Sequence, residues 1–363
     1  MKKSQVSSQF NWIFVLIVGG MFLVMFFTMS TRQSTAADTR ISAIALSGIS
    51  TIFESARTGT SLSSVVNVPN IEIRFTCETG LFNSDNIYSD YRVGTLSRRI
   101  PALPTFAPGT LSGDDLVTWT VSWDMPFKVM NFLFLANSMT RFFLYFPEDE
   151  FPELKRAINN SFSSNIRHMF IDSLDEIADY NDDHSIIVVF TSDDSNDFVD
   201  EMDISLEDIF EKDARILQVV PDSNYLFGYV DYYDKRKSHQ SRTTYFGLAS
   251  LYGAMFSPSS DFYECSMLKA MKRFQRVSCV YKQKYSAMRE TYERPACMVP
   301  YDAALNTIDL YFGTDFCMSD NGDASLGNPN EVVFDEFDSE KLFFESLTQH
   351  NRQTISGSCE LLY

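Results

Sequence analysis

The residues whose types and spacing come nearest to a reactive site are Thr191, Ser192, Asp193, Asp194, Ser195, Asn196 and Asp197. They follow an apolar run, Ile186 to Phe190, that reads as a central strand, and open α/β sheets place ligands at the carboxyl ends of their strands. Asp193, Ser195 and Asp197 alternate, a spacing that lets their oxygens converge on a hard divalent cation. The competing reading is a solvated acidic loop. No other metal or cofactor is expected.

The 191–197 run is similar to the metal-dependent adhesion loop of von Willebrand type A domains, in which aspartate-x-serine-x-serine follows a central strand. It departs from that pattern at Asp197 and in lacking a glycine. Other chemistry is harder to find. Glycine is absent from Asp114 through Phe227, which excludes the backbone-to-phosphate approach of dinucleotide and P-loop sites. There is no G-x-S-x-G elbow and no H-E-x-x-H, and His168, His184, His239 and His350 are scattered and read as surface or capping residues. Asp320 to Glu331 has the length of a calcium loop but puts Gly322, Ala324 and Ser325 where ligands and the turn glycine belong. A binding protein is therefore expected before an enzyme.

The cysteines Cys77, Cys265, Cys279, Cys297, Cys317 and Cys359 show no C-x-x-C or zinc spacing, and an even, scattered set suits disulfides on an oxidising face. Six buried thiols are the alternative. Cys265 and Cys279 fall on one expected helix, about 21 Å apart at the helical rise. A disulfide holds its Cα atoms about 4.4 to 6.8 Å apart, so any bridge from this helix runs to Cys77, Cys297, Cys317 or Cys359.

Charge is divided along the chain. The net charge is −18, yet Ile171 to Asp213 carries sixteen acidic residues against Lys212 alone, while Lys269 to Arg294 carries eight cations against Glu290 and Glu293. Attraction between the acidic segment and the basic helix, within one copy or between copies, is the simplest consequence. The acidic balance and the lack of any finger or helix-turn-helix pattern exclude a nucleic-acid partner.

These residues hang from the stretch 10–29, whose part Trp12 to Met29 has no charged side chain and spans roughly 27 Å as a helix, enough to cross a bilayer. A short cytoplasmic tail, 1–9, precedes it. The run is longer than the core of a signal peptide, so a retained anchor is expected, with a cleaved signal and a pilin-like helix as alternatives. Lys2 and Lys3 favour an inside N-terminus and an outside body.

Residues 30–58 continue as an amphipathic stalk with Ile41, Ile44, Ala45, Gly48, Ile52, Phe53 and Ala56 on one face, turned to the body or to another copy. Residues 59–127 are β-rich: Pro69 to Cys77 alternates as a strand, and Val117, Trp119, Val121 and Trp123 share a strand face that reads as core, or as a carbohydrate platform.

Residues 128–235 read as a small α/β layer. Its expected strands are Phe132 to Ala136, Phe142 to Phe146, Ile186 to Phe190 and Arg215 to Val220, with an edge strand at Tyr225 to Tyr233. Helices are expected at Pro152 to Phe162 and Asp200 to Phe210. After a basic linker, DKRKSHQSR, residues 236–363 read as helical, with a short helix from Gly247, a long one from Asp261 that Pro295 must end, and a last one from Ser339 to Asn351. The fold class is α+β with a mixed-sheet body.

The opening QVSSQFNWIFVLIVGG, the strand ending in cysteine, the segment WTVSWDMPFKV and the α/β body together resemble an uncharacterised family of single-pass membrane proteins from small-genome archaea. The resemblance implies an archaeal envelope protein and carries no activity or site residues. The sequence thus points to a membrane-anchored extracytoplasmic binding or scaffolding protein with a protein partner or a second copy. The alternatives are a tethered metal-dependent enzyme using Asp193 to Asp197, and a pilin-like assembly subunit.

Overall fold

The computed structural model describes residues 3–59, 62–79, 87–100, 102–147, 150–180, 184–192, 194, 213–234, 238–291, 295–312, 317, 337–356 and 359. The protein is α+β, with two mixed sheets and seven helical segments among the described residues. One helix, α1 (Lys3–Thr58), runs unbroken from the apolar stretch into the stalk. Its part Phe14–Gln33 has a mean hydropathy of 2.1 and none of it is buried, so it is long and apolar enough to cross a membrane.

The first sheet comprises β1 (Ser63–Thr79), β2 (Ile87–Val93), β3 (Leu96–Arg99), β4 (Thr105–Phe106), β5 (Thr110–Asp124) and β6 (Lys128–Asn137) in the order β3-β2-β1-β5-β6-β4. All its pairs are antiparallel except β4 with β6. The register of β1 against β5 shifts between Asn67 and Ile71. Pro69 lies inside that shift, and a residue without an N–H is tolerated at such a bulge.

The second sheet comprises β7 (Thr140–Tyr145), β8 (Arg167–Ile171), β9 (His184–Phe190), β10 (Asp213–Pro221), β11 (Phe227–Tyr233) and β12 (His239–Phe246), ordered β12-β11-β10-β9-β7-β8. Strands β8, β7, β9 and β10 run parallel, and β11 and β12 are antiparallel. Helix α2 (Pro152–Ser161) and a 3-10 turn (Leu174–Asp179) lie between β7 and β9 in the chain. The C-terminal helices are α3 (Leu248–Phe256), α4 (Ser260–Thr291), α5 (Pro295–Phe312) and α6 (Phe337–Ser356).

Two cores explain the unbroken apolar run of β6. Phe132 and Phe134 join Trp119, Trp123, Tyr252, Phe256 and Phe274 on one face, while Leu133 and Leu135 join Ala45, Leu46, Ile49 and Phe53 of the stalk on the other. A strand buried on both faces has no polar alternation to show. Trp119 and Trp123 are both core, not an exposed platform.

Three expectations need correction. The stalk packs on the body, but its buried face is Ser42, Ala45, Leu46, Ile49, Phe53 and Ala56, with Ile41 and Ile44 exposed. The expected stripe was rotated because large aliphatics were read as buried, whereas close packing on the sheet selects the smaller Ser42 and Ala45. Secondly, Tyr225 to Tyr233 is no edge: β11 sits between β10 and β12, and the edge strand β12 includes much of the expected linker. Its charged and polar side chains are those that keep an exposed edge from pairing further.

Thirdly, the long helix α4 ends at Thr291, before Pro295 as expected, but Pro295 also opens a further helix, α5, as a first-turn proline. The helix expected at Asp200 to Phe210 lies outside the described residues.

Candidate functional site: a cationic cavity

The face of α4 that carries Cys265 and Cys279 also carries Lys269, Lys272, Arg273 and Arg276, because spacings of three and four return to one side of a helix. Cys265 is bridged to Cys77 of β1 with Cα atoms 5.8 Å apart, and Cys279 to Cys317 with Cα atoms 5.6 Å apart. The cationic stripe is therefore pinned at both ends. A third bridge joins Cys297 to Cys359, so all six cysteines are paired and, as geometry requires, Cys265 and Cys279 are not paired with each other.

The stripe forms one wall of a cavity of about 870 Å³. Arg57 at the end of α1, Arg99 at the end of β3 and Lys128 at the start of β6 bring the lining cations to seven, and among the described residues no Asp or Glu lines it. Ile87, Ile100, Leu103, Val129 and Val277 supply apolar wall between them. The carbonyl end of α1, which would repel an anion, is covered: Asn131 Nδ2 donates to the carbonyl of Gly59 at 2.9 Å and lies 3.4 Å from that of Ala56.

Lys269 is the unusual member. Its Nζ is shut off from solvent and makes no hydrogen bond. Burial, aided by the nearby Arg99 and opposed by Asp90, lowers its pKa from 10.5 to about 8. A cavity with this lining favours anions strongly, since low-dielectric walls concentrate the field of one sign of charge.

Asp193, Ser195 and Asp197 fall outside the described residues, as does the 320–331 loop. Their neighbour Asp194 pairs with Arg242 at 2.6 Å. Arg242 also grips the buried Asp231 through Nε and Nη2, each at 2.8 Å, and His239 Nε2 lies 2.8 Å from the same carboxylate. His239 is exposed, as a surface histidine was expected to be, but it is partnered; the partnership follows from β11–β12 pairing, which sequence spacing does not reveal. His168 Nδ1 lies 2.9 Å from the Ile166 carbonyl, and His350 lies beside Thr307. Among the described residues, no group of three or more His, Cys, Asp or Glu is placed to hold a metal.

The basic helix was legible in the sequence; the cavity was not, because Arg57, Arg99 and Lys128 come from remote segments whose convergence needs the first sheet. Comparison with protein-family models, with curated proteins and with solved structures gave no match, so what the chain does is argued from this geometry.

Proposed function

We propose that the chain is a membrane-anchored binding module whose cationic cavity receives an anionic ligand outside the cytoplasm. The observation that carries this reading is the lining itself: seven cations from four elements and, among the described residues, no carboxylate. The apolar part of α1 serves as the anchor, with Lys2 and Lys3 inside, and the three disulfides suit a body on the oxidising side. In this reading the parallel quartet β8-β7-β9-β10 is a small α/β layer bracing the body, and the protein belongs to an archaeal cell envelope.

The alternative, a tethered metal-dependent enzyme, has one observation in its favour. The Asp194–Arg242 pair sets the start of the acidic loop beside the His239–Asp231 pair. Calorimetric titration with calcium, magnesium and manganese tests it: saturable heat lost in Asp193→Asn is the outcome it requires.

For the anion site, the experiment is titration of the detergent-solubilised full chain with tripolyphosphate and with citrate. Saturable binding is expected, weakening steeply as salt rises from about 50 to 200 mM, because the attraction is a field of exposed charges. Absence of binding to either anion at low salt overturns the reading.

A further inference from the structure

Four of the lining cations, Lys128, Lys269, Arg273 and Arg276, have no hydrogen-bond or ion-pair partner among the described residues. Three of them, Lys128, Arg273 and Arg276, are exposed. They approach from two walls, Arg273 and Arg276 on α4 and Lys128 on β6, so like charges face each other across the space. A phosphate monoester carries about −1.5 to −2 charges at neutral pH, so one such group balances roughly half of the four.

Size points the same way. A cavity of about 870 Å³ belongs with pockets that take whole ligands, roughly 300 to 1,000 Å³, and far exceeds one tetrahedral oxyanion. Among the described residues no aromatic side chain lines it to give a nucleobase or sugar ring a stacking face, and no carboxylate lines it to accept from ligand hydroxyls. The recognition on offer is charge and the arginine fork, which suits phosphate geometry.

We propose that the occupant is a polyanion carrying two or more phosphate groups, bridged between Arg273 and Arg276 on one side and Lys128 on the other. Lys269 turns its ammonium out of the wall to meet it. The proposal rests on the reading of the cavity as an anion site. The turn is needed because Nζ is sealed in this state, and the flexible four-carbon stem of a cavity-lining lysine allows it. Phosphate of this kind is found free in solution, in polymers and on lipid headgroups. Arg57 follows Gln33 on one helix, about 36 Å further along its axis at the helical rise. Headgroups of the membrane that holds the anchor therefore lie out of the cavity's reach, and a soluble or polymeric phosphate is the source that fits.

The test is a ladder of orthophosphate, pyrophosphate and tripolyphosphate titrated into the detergent-solubilised full chain, beside vesicles of neutral lipid with and without anionic phospholipid. Affinity is expected to rise about tenfold or more at each step of the ladder, with no selective response to the anionic vesicles. Arg273→Ala with Arg276→Ala, and separately Lys128→Ala, should flatten the ladder without unfolding the protein, since all three residues are exposed; Lys155→Ala on α2, remote from the cavity, should leave it unchanged. Lys269→Met should weaken tripolyphosphate more than orthophosphate. Equal affinity for all three phosphates overturns the polyphosphate proposal while sparing the anion site. No saturable binding of any of the three phosphates removes both, and preferential binding to the anionic vesicles overturns the assigned source.

Discussion

Sealing the Lys269 ammonium in a cavity wall without a partner penalises its charged form, which is why burial, with Arg99 adding to it, holds the pKa near 8 instead of 10.5. The sign of the linkage follows. Below about pH 8 the folded and unfolded chains both carry the proton and the penalty is constant; between about pH 8 and 10.5 the unfolded chain binds more protons, so stability rises with pH. Beyond burial, Arg99 opposes protonation here and Asp90 favours it, so the window belongs to this small cluster. Urea unfolding at about pH 7.5 and 9.5 should show wild-type protein gaining stability relative to Lys269→Met across this interval. At the lower pH the methionine variant should be the more stable of the two, as removal of an uncompensated buried charge predicts. A less stable variant there would mean that the ammonium has a stabilising partner. Asp231 is the opposite case: fully buried, but held by two bonds from Arg242 and one contact with His239. Arg242→Ala leaves that carboxylate underpaired and should cost about 3 to 5 kcal/mol in urea unfolding; a loss under about 1 kcal/mol would show the pair to be exposed in solution.

At the scale of elements, α4 is both the floor of the main core and the wall of the cavity. Phe262, Met271 and Phe274 pack inward, while the cationic stripe lies on the side that its cysteines pin. Lys269 stands one turn beyond Cys265, so the bridge to Cys77 fixes where the stripe meets the first sheet. Replacing Cys77 and Cys265 together by serine should lower stability by about 2 to 4 kcal/mol, read as a shifted urea midpoint, and should weaken tripolyphosphate binding as the wall loosens. Non-reducing peptide mapping should recover the Cys77 to Cys265 peptide; a Cys265 to Cys279 peptide would require α4 to break. This helix was legible in the sequence from its capping residues, its length and the argument that its two cysteines cannot meet. The alternating strands β1 and β5 were legible for the same local reason. β2 and β3 were not, because their polar and charged residues break up any clear apolar alternation, and β4 was not, because it is two residues between Pro104 and Pro108. Nor was β12, whose charged edge sequence looks like a linker until pairing with β11 satisfies its backbone. The site suffered most, since it depends on Arg57, Arg99 and Lys128 being brought to α4 by sheet register, which no local pattern encodes.

For the molecule as a whole, the unbroken α1 would, in the proposed anchored topology, tie the position of the cavity to the membrane. Packing of Ala45, Leu46, Ile49 and Phe53 on the first sheet keeps the stalk from swinging freely against the body, so the cavity stays at the end of α1 remote from its apolar part. The chain's net charge is −18 even though the cavity is lined by cations. That arrangement opposes long-range approach of anions at low ionic strength and leaves capture to the local field, so association should quicken with moderate salt before screening weakens the complex. The topology that makes this useful is a body outside the cytoplasm. Protease added to intact cells should then remove the body and leave a fragment containing Phe14 to Gln33 in the membrane fraction. Tripolyphosphate added beforehand should slow cleavage within the body, because a ligand that binds only the folded state suppresses its opening. A body protected in intact cells and digested only after lysis would put the disulfides and the cavity on the reducing side, against the orientation argued from Lys2, Lys3 and the cysteine pairs. Digestion at an unchanged rate with tripolyphosphate present would keep the topology and remove the ligand.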